Sequence, residues 1–216
     1  LLASAIAMEK PMAKRLFSSA GLNVADDIIC TMDAFLEGEP MSRPFVVKPL
    51  NEGSSVGVHL FKQGDNHASY ETFNHALDKE IMVERYIPGQ ELAVGVIGKG
   101  EDAKPMTVTE IITERSFYDY DAKYSHGESH HIYPAEIDPS VFNECLEAAL
   151  IAHRTLGCRG ISRSDFRYDG ETLYILEVNT QPGMTPTSLI PEQAQTLNMS
   201  FEDIIQWMVE NAECEG

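Results

Sequence analysis

Two segments near the C-terminus, separated by an Asp-Gly pair, constrain the fold of this chain more than any other feature. Residues 161–168 and 172–178 are rich in strand-forming side chains and are predicted to be β-strands. Asp169 and Gly170 between them are typical of a short turn that joins neighbouring antiparallel strands. The chain is therefore expected to contain a buried hairpin near its C-terminus.

Polar side chains recur at every second residue of both predicted strands. Arg163 and Asp165 share one face of the first strand, and Glu177 and Asn179 share one face of the second. Two carboxylates and an amide oxygen form a hard-oxygen set suited to Mg²⁺, beside an arginine that could hold an anionic or oxyanionic group. The alternative is a surface ion pair. The metal is favoured because buried carboxylates need a partner. The apolar neighbours that indicate burial are Ile161, Phe166, Ile175, Leu176 and Val178.

The length of the turn decides which of these side chains meet. A three-residue connection, residues 169–171, pairs Tyr168 with Thr172 and makes Arg163 face Glu177. A two-residue turn would move Glu177 to the opposite face of the sheet, because side chains alternate along a strand. The three-residue connection is the expectation, since it gathers both carboxylates on one side.

A glycine- and serine-rich turn, residues 51–57, lies between two further predicted strands. Its glycines let the backbone fold tightly and direct N–H groups at one point, and its hydroxyls add donors. Lys48 ends the preceding strand, where its ammonium could meet the same anion. A Walker loop is excluded, because Gly-Lys-Ser/Thr is absent and a strand follows instead of a helix. On this segment alone, phosphate binding and a plain hairpin are equally supported.

The remaining pattern mixes helices and strands without a regular repeat, which predicts an α+β fold. Glu84 and Glu91 flank a predicted turn, and solvated hairpin charges are the simplest interpretation of that segment alone. Residues 115–134 are polar, aromatic and aperiodic, and such loops are usually functional or disordered. Helices are predicted over residues 8–20, 67–77, 139–156 and 201–211, the last capped by Ser200. Strands are predicted over residues 44–49, 58–61, 81–85, 91–97 and 107–113.

Composition limits the partners and the compartment. The formal net charge of −18 argues against nucleic acid or an anionic membrane as the main partner, because both require a basic surface. A nucleotide is not excluded, since a phosphate site needs few donors and a cation can neutralise charge. No segment is long enough to span a bilayer. Cys30, Cys145, Cys158 and Cys214 lack zinc or redox spacing and are interpreted as thiols of a reducing, cytoplasmic compartment.

Several separated strings, in matching order, resemble the ATP-grasp superfamily and, within it, the D-alanine–D-alanine ligases. They are Met8-Glu9-Lys10, Val47-Lys48-Pro49 with residues 52–57, residues 117–124, residues 160–165, residues 177–185, and Ser188-Leu189. The aromatic string 117–124 and the Asn-Thr-Gln-Pro-Gly-Met-Thr string are far more specific than a glycine loop, and the resemblance covers essentially the whole chain. It implies an ATP-grasp fold in which two lobes, residues 1–84 and 85–216, clamp ATP between antiparallel sheets.

The resemblance also implies how individual residues bind ATP. Lys10 and Lys48 would hold the α- and β-phosphates, and Lys123 on the long loop would reach the γ-phosphate. Glu84 would accept a hydrogen bond from the adenine amino group, and Glu91 would bind the ribose hydroxyls. Further positions expected to contact the nucleotide are Glu52, Ser54, Ser55, Tyr86, Ile87, Phe117 and Leu176.

The same resemblance assigns metal ions and an oxyanion site to the C-terminal hairpin and the segment after it. Two Mg²⁺ ions, for which Mn²⁺ could substitute, would be held by Asp165, Glu177 and Asn179. Arg163 and the backbone of Gly183 would stabilise the oxyanion that forms during the reaction. These assignments agree with the hard-oxygen set inferred from the strand pattern.

The amino-acid substrate is assigned by resemblance to three further segments. Ser188 and Leu189 would meet a substrate carboxylate. Ser54 and Tyr124 would belong to a network around the ammonium of the first D-alanine, and Lys123 would complete the catalytic set. The implied reaction joins two D-alanines through an acyl phosphate for peptidoglycan synthesis. Its expected partners are D-alanine and ATP, with a homodimer in the full-length enzyme.

Two features of the resemblance leave the activity of this chain open. The chain does not begin with Met, and it lacks the His-Gly-x-x-Gly-Glu-Asp-Gly-like string of the family's N-terminal domain. It is therefore expected to be a fragment that binds Mg·ATP but is poorly active alone. The alternatives are another ATP-grasp carboxylate–amine ligase or a nucleotide-binding module without catalysis. Turnover of ATP on addition of D-alanine would separate the ligase from the module.

Overall fold

The computed structural model describes residues 1–53, 56–73, 80–113 and 129–213 of the chain. These ranges contain most of the residues that the sequence assigns to a functional site. The assigned residues that lie outside them are Ser54, Ser55, Phe117, Lys123 and Tyr124. The stated ranges contain both helices and antiparallel sheets, which confirms the predicted α+β class.

Four strands of the described chain form a first antiparallel sheet with the order β1-β4-β2-β3. They are β1 (Asp27–Thr31), β2 (Phe45–Pro49), β3 (His59–Phe61) and β4 (Glu80–Arg85). Every residue of β2 is buried, which explains its continuous apolar run and makes the burial of Lys48 within it notable. The central strands β2 and β4 thus have buried side chains on both faces of the sheet.

One face of the first sheet packs on a small aromatic core. Helix α3 (Met32–Glu37) places the ring of Phe35 against the rings of Phe45, Phe61 and Phe73, each with a centroid separation of 5.9 Å. The last ring belongs to a short 3₁₀ turn, Tyr70–Phe73. Edge-to-face packing of buried aromatic rings at this separation is favourable. This core leaves the other face of β2 and β4 free to form a site.

A second antiparallel sheet has five strands within the described ranges, in the order β7-β6-β5-β8-β9. The strands are β5 (Gln90–Lys99), β6 (Lys104–Thr113), β7 (Ser129–Ile132), β8 (Arg159–Tyr168) and β9 (Leu173–Asn179). A short 3₁₀ turn, Gly100–Asp102, joins β5 to β6. The predicted C-terminal hairpin is confirmed as β8 and β9, at one edge of this sheet.

The main hydrophobic core lies on one face of the second sheet. Helix α4 (Pro139–Thr155) packs there, together with α1 (Leu2–Met8) and α2 (Lys10–Ser19). The even-numbered residues of β5, from Leu92 to Val96, point into this core because alternate side chains of a strand share a face. The odd-numbered residues of β5, and of its neighbour β8, therefore face the opposite side.

The opposite face of the second sheet is only partly covered. Helices α5 (Leu189–Ala194) and α6 (Phe201–Glu210), joined through the 3₁₀ turn Gln195–Leu197, pack on it through a smaller core that contains Ile190 and Ile204. This core covers the end of β5 that contains Ile97. The helices of this core do not cover the other end of β5, at Gln90. The candidate functional site lies at that end.

Several sequence-based boundaries differ from the structure. The predicted helix 8–20 forms over Lys10–Ser19, and a separate helix, α1, ends before it at Met8. The predicted helix 67–77 was wrong where it is described, since only the 3₁₀ turn Tyr70–Phe73 forms. The predicted loop 115–134 contains strand β7, which pairs with β6. Elements α1, β1, α3 and α5 were not predicted.

The cysteines of the described residues are free thiols, and two of them are buried. Cys145 and Cys158 lie in the main core, where burial raises the pKa of the first thiol to about 12 and of the second to about 11. Such thiols stay protonated and behave as small apolar side chains. Cys30 is half-buried, and Cys214 lies outside the described residues. No helix of the described ranges has the length and apolar composition needed to cross a bilayer.

Candidate functional site

A cleft of about 820 Å³, counting its part open to solvent, lies where the first sheet meets the second. It is formed by β2 and β4 of the first sheet, by β5, β8 and β9 of the second, and by the start of α2. A volume of this size is typical of pockets for small organic ligands. Its lining residues are Lys10, Val46, Lys48, Glu52, Gly53, Val58, Glu84, Arg85, Tyr86, Ile87, Glu91, Asp165, Arg167, Leu176 and Glu177.

Glu84 is the most buried charge of the cleft, with 5% of its surface exposed. One carboxylate oxygen accepts from Lys14 at 2.5 Å and the other from Lys48 at 2.6 Å. Burial alone would raise the pKa of this carboxyl, but the charges and hydrogen bonds of Lys48 and Lys14 outweigh it and lower the pKa below its ordinary value. Glu84 is therefore an ionised carboxylate, paired with two lysines.

The lysines in the cleft and behind it come from one helix face and one strand. Lys10 and Lys14 are four residues apart on α2, so their side chains project from the same side of the helix. Lys14 also meets the carboxylate of Asp27 at 2.7 Å and the carbonyl of Ala25 at 2.7 Å, which satisfies its ammonium internally. Lys48 comes from β2. Its side chain and that of Lys10 line the cleft, whereas Lys14 supports Glu84 from behind.

An anionic ligand would stabilise the charged form of Lys10, which burial and the charge of Lys48 disfavour. Lys10 donates to the backbone carbonyl of Glu52. Burial lowers the pKa of its ammonium below the ordinary value, an effect that the carboxylate of Glu177 opposes and the ammonium of Lys48 reinforces. An anion between Lys10 and Lys48 would remove their mutual repulsion and offset the loss of hydration.

The hairpin β8–β9 gathers the predicted oxygen ligands, but with a pairing that differs from the expected one. The turn has four residues, Asp169 to Thr172, so Tyr168 pairs with Leu173 instead of Thr172. Asp165 lies opposite Glu177, and Arg163 lies opposite Asn179. The expected pairing of Arg163 with Glu177 was therefore wrong by two residues. The expected sharing of one face is confirmed, because a shift of two preserves the alternation.

A bulge in β9 makes this arrangement possible. The partners step from Glu177 to Ile175 as β8 steps from Asp165 to Phe166, so Leu176 has no residue opposite it. A bulge re-aims the side chains next to it. Leu176 and Glu177, although consecutive, both line the cleft. A straight ladder with the observed turn would have directed Glu177 into the core.

The predicted metal ligands form one hydrogen-bonded group. Arg163 donates to both oxygens of Asp165, at 2.6 and 2.8 Å. The amide nitrogen of Asn179 donates to Asp165 at 3.0 Å and to Glu177 at 3.4 Å. Two carboxylates and an amide are hard-oxygen donors, so the set fits a small divalent cation once the amide turns its oxygen inward. Within the described ranges, no three His, Cys, Asp or Glu side chains could hold a metal by themselves.

A second polar group lies where β5 begins. The guanidinium of Arg167 donates to the hydroxyl of Tyr86 at 2.8 Å, lies 5.2 Å from the centre of its ring, and approaches the carboxylate of Glu91 at 3.4 Å. Arg167 pairs with Glu91 across β8 and β5, which places both on the cleft face. The aromatic ring, the guanidinium and the carboxylate together form a polar rim beside the apolar wall of Ile87 and Leu176.

The predicted substrate segment lies outside the cleft lining. The hydroxyl of Ser188 is 3.0 Å from the backbone nitrogen of Thr185 and 2.8 Å from its hydroxyl. It also lies so close to Gly183 that a side-chain carbon there would be 3.0 Å from it. Ser188 and Gly183 are therefore brought together. Leu189 follows at the start of α5 and packs on Ala93 and Ile111.

Sequence reasoning missed two residues that it could have found, Arg167 in the cleft lining and Lys14 behind Glu84. Lys14 follows Lys10 by four residues on a predicted helix, and Arg167 follows Asp165 by two on a predicted strand. Extending each periodicity by one step would have found both. The contribution of Val46 and Val58 to the wall could not be found that way, because it depends on how the two sheets meet.

Comparison with known proteins identifies the family. The model of the D-ala D-ala ligase C-terminus matches residues 16–210. D-alanine–D-alanine ligase of Rhodospirillum rubrum is 51% identical over 215 residues, which cover all of this chain and 70% of that protein. The ligase of the same name from Granulibacter bethesdensis is 49% identical over 219 residues, covering 99% of this chain and 70% of that protein.

The fold comparison agrees. The VanG D-Ala:D-Ser ligase from Enterococcus faecalis superposes with a TM-score of 0.81 at 29% identity, covering 97% of this chain and 62% of that chain. A D-alanine–D-alanine ligase from Bacillus anthracis superposes with a TM-score of 0.77 at 27% identity, covering 97% of this chain and 68% of that chain. With sequence, family model and fold in agreement, the chain belongs to the D-alanine–D-alanine ligase family.

Proposed function

We propose that the protein carrying this chain uses Mg·ATP to join two molecules of D-alanine, and that the cleft binds the nucleotide. The observation that carries the proposal is the convergence of two lysines, five carboxylates and an apolar wall in one cleft of a chain of this family. Each part of the cleft matches one part of ATP. Cations would meet the phosphates, the apolar wall would meet the purine, and carboxylates would meet the sugar and the metal.

The triphosphate is assigned to Lys10 and Lys48. Both line the cleft, and the lowered pKa of Lys10 reflects burial and the nearby charge of Lys48. Hydrogen bonds to charged groups contribute about 1.5–3 kcal/mol each. The ammonium of Lys48 would exchange part of its contact with Glu84 for a phosphate oxygen, while Lys14 keeps Glu84 ionised and in place.

The base and the ribose are assigned to the opposite end of the cleft. Val46, Ile87 and Leu176 would form the apolar wall for the purine. Each oxygen of Glu84 already accepts from one lysine. Because a carboxylate oxygen has two lone pairs, Glu84 can also accept from the adenine amino group. Glu91, beside Arg167, would accept from the ribose hydroxyls, and Glu52, Tyr86 and Ser54 with Ser55 would border the nucleotide.

Magnesium is assigned to Asp165, Glu177 and Asn179, whose oxygens are the ligand type that Mg²⁺ prefers. The metal would supply charge neutralisation at the phosphates when bound. Arg163 already donates to Asp165, which orients its guanidinium beside this group. An orientation fixed before reaction is the condition for effective stabilisation of an oxyanion.

The chemistry that this site supports is phosphoryl transfer followed by amide formation. A carboxylate oxygen of the first D-alanine attacks the γ-phosphorus, the bond to the β-phosphate oxygen breaks, and ADP leaves. The amine of the second D-alanine then attacks the acyl phosphate through a tetrahedral oxyanion, assigned to Arg163 and the backbone of Gly183. Collapse of that intermediate releases phosphate. Ser188 and Leu189 would hold a substrate carboxylate, and Phe117, Lys123 and Tyr124 would complete the site.

The test is an ADP-release assay with and without D-alanine, combined with chromatography for D-alanyl-D-alanine. We expect ADP release that depends on D-alanine and matches dipeptide formation. Lys48→Met should abolish it, whereas Lys104→Met, at the exposed start of β6, should leave it unchanged. ATP binding without turnover that depends on D-alanine would instead identify a nucleotide-binding module.

Assembly, lobes and compartment remain part of the proposal. A homodimer, a division at residues 84 and 85, and a cytoplasmic location are each consistent with a ligase that consumes ATP. Strand β4 ends at Arg85, close to the proposed division. Ala13 and Phe17 of α2 precede this division in the sequence but pack in the core of the second sheet. Light scattering during size-exclusion chromatography would decide the oligomeric state.

A further inference from the structure

The pairing of β5 with β6 is irregular at one point, next to strand β8, which contains Arg163 and Asp165. Val94 pairs with Val108, but Val96 pairs with Pro105, so the register shifts by one residue around Gly95. On its other side β5 pairs regularly with β8, where Ala93 lies opposite Asp165 and Gly95 opposite Arg163. The irregularity thus lies at Gly95, the β5 residue opposite Arg163, whereas Ala93, opposite Asp165, keeps its regular partner Thr109 on β6.

The side chain of Gln193 fills this break. Its amide oxygen accepts from the backbone nitrogen of Gly95 at 2.7 Å, and its amide nitrogen donates to the carbonyl of Ala93 at 3.0 Å. The same nitrogen donates to the hydroxyl of Thr109 on β6 at 2.9 Å. Gln193 is fully buried. A buried amide is stable there only because its donors and acceptor are paired.

Gln193 belongs to the helix that follows the substrate segment. Helix α5 starts at Leu189, and Ser188 is its N-cap. Gln193 lies one helical turn beyond Leu189, so a movement of Gln193 shifts Ser188 and Leu189 by a similar amount. Its hydrogen bonds therefore connect the substrate segment to the strand that supports Arg163 and Asp165.

Helix α5 packs closely on the sheet at Gly95, a position that has no side chain. A side-chain carbon on Gly95 would lie 2.7 Å from the end of Ile190 and 3.0 Å from the amide oxygen of Gln193. These two neighbours belong to α5, and the sulfur of Met106 on β6 would also lie 3.0 Å away, so the space above Gly95 is filled by α5 and β6 side chains. The distance between α5 and the sheet is therefore set by the hydrogen bonds of Gln193 and by the contacts over Gly95.

We propose that Gln193 is a positioning residue, which sets the distance between the D-alanine-binding segment at Ser188–Leu189 and Arg163. The inference rests on the proposed function, because the role of that segment in binding D-alanine is part of it. Gln193 contacts no substrate and is not a catalytic residue. It acts through α5, and a displacement of about 1 Å between reacting groups can lower a rate by about a hundredfold.

The experiment compares Gln193→Met, which keeps the size but removes the hydrogen bonds, with Thr109→Val, which removes only the bond to β6. On the protein that carries this chain, we measure the Michaelis constant for D-alanine, kcat, and the affinity and number of Mg·ATP sites. We expect Gln193→Met to lower kcat/KM for D-alanine by about ten- to a hundredfold, with a raised KM and unchanged Mg·ATP affinity. Thr109→Val should retain the wild-type KM.

A purely structural role gives a different result. Partial unfolding would lower the number of Mg·ATP sites and kcat together without changing KM, and that outcome would overturn the inference. If Gln193→Met does not fold, Gly95→Ala replaces it, because the added methyl crowds the amide oxygen of Gln193 and the end of Ile190 without removing a polar group. A raised KM for D-alanine supports the inference, and an unchanged KM overturns it. A wild type without D-alanine-dependent turnover would overturn the proposed function as well, so the two failures are distinct.

Discussion

Glu84 is a carboxylate that folding has removed from water, and two lysines make this possible. Its burial was not predictable from the segment around it, where hairpin charges in solvent were the simpler interpretation. Lys14 and Lys48 reach it from elements that are 70 and 36 residues away in sequence. Local patterns cannot reveal such partners. Only the family resemblance assigned Glu84 to a site, and the structure adds that Lys14 keeps it ionised.

The lowered pKa of Glu84 predicts how stability depends on pH. The folded-state pKa is below the unfolded value, so the stability contributed by ionised Glu84 is complete above the unfolded pKa and is lost as the pH falls through the folded pKa. Glu84→Gln removes one partner of buried ion pairs, which typically costs about 3–5 kcal/mol at neutral pH. The difference in the free energy of unfolding between wild type and variant should shrink in acid.

Urea denaturation at neutral and at acidic pH measures this difference. Glu101→Gln is the matched control, because the Glu101 side chain is 95% exposed and lies at the far end of β5 from Glu91. It should behave as the wild type at both pH values. A Glu84→Gln variant with neutral-pH stability equal to the wild type would contradict the account of the buried pair.

Asp165 gives a second prediction at the level of a single residue. Asp165→Asn keeps the size of the side chain but removes the charge that faces Glu177. Mg²⁺-dependent binding of ATP should therefore weaken by about tenfold or more, since a carboxylate ligand is lost. Calorimetric titration of Mg·ATP into the variant, with Glu101→Gln as control, measures the change. Equal affinities would remove Asp165 from the metal site.

At the scale of elements, the hairpin β8–β9 shows how far periodicity reaches. The alternation of polar side chains predicted correctly that Asp165, Glu177 and Asn179 share a face. It did not predict the four-residue turn or the bulge at Leu176, because each shifts the register by one residue in the same direction, and a total shift of two leaves the alternation intact. Strand β1 was missed for a different reason, since it is largely exposed and has no clear alternation of buried residues.

Helix α6 provides an element whose stability can be predicted from its cap. The sequence suggested Ser200 as the N-cap, and the structure confirms it with a capping box, in which Ser200 and Asp203 each accept from the other's backbone nitrogen. Ser200→Ala should lower the free energy of unfolding by about 1 kcal/mol. Mg·ATP affinity should stay unchanged, because α6 does not line the cleft. Thermal unfolding without a measurable shift would contradict the role of the cap.

At the scale of the whole molecule, the site exists because two sheets meet at one end. Composition and pattern predicted the α+β class and most strands, and the family resemblance predicted two sheets that enclose a nucleotide. The uncovered end of β5, beside Glu91 and the walls from Val46 and Leu176, depends on tertiary packing. It therefore could not be read from any single segment. The same packing brings Lys10 from a helix and Glu177 from a strand to one cleft.

Calorimetric titration of ATP into the purified chain, with Mg²⁺ and with excess EDTA, tests the central claim most directly. The account predicts saturable binding to one site per chain that requires Mg²⁺ for full affinity. Lys10→Met should weaken the binding, and Lys104→Met should not. Absence of saturable heat, or an affinity that is indifferent both to Mg²⁺ and to Lys10→Met, would contradict the claim that this cleft binds Mg·ATP.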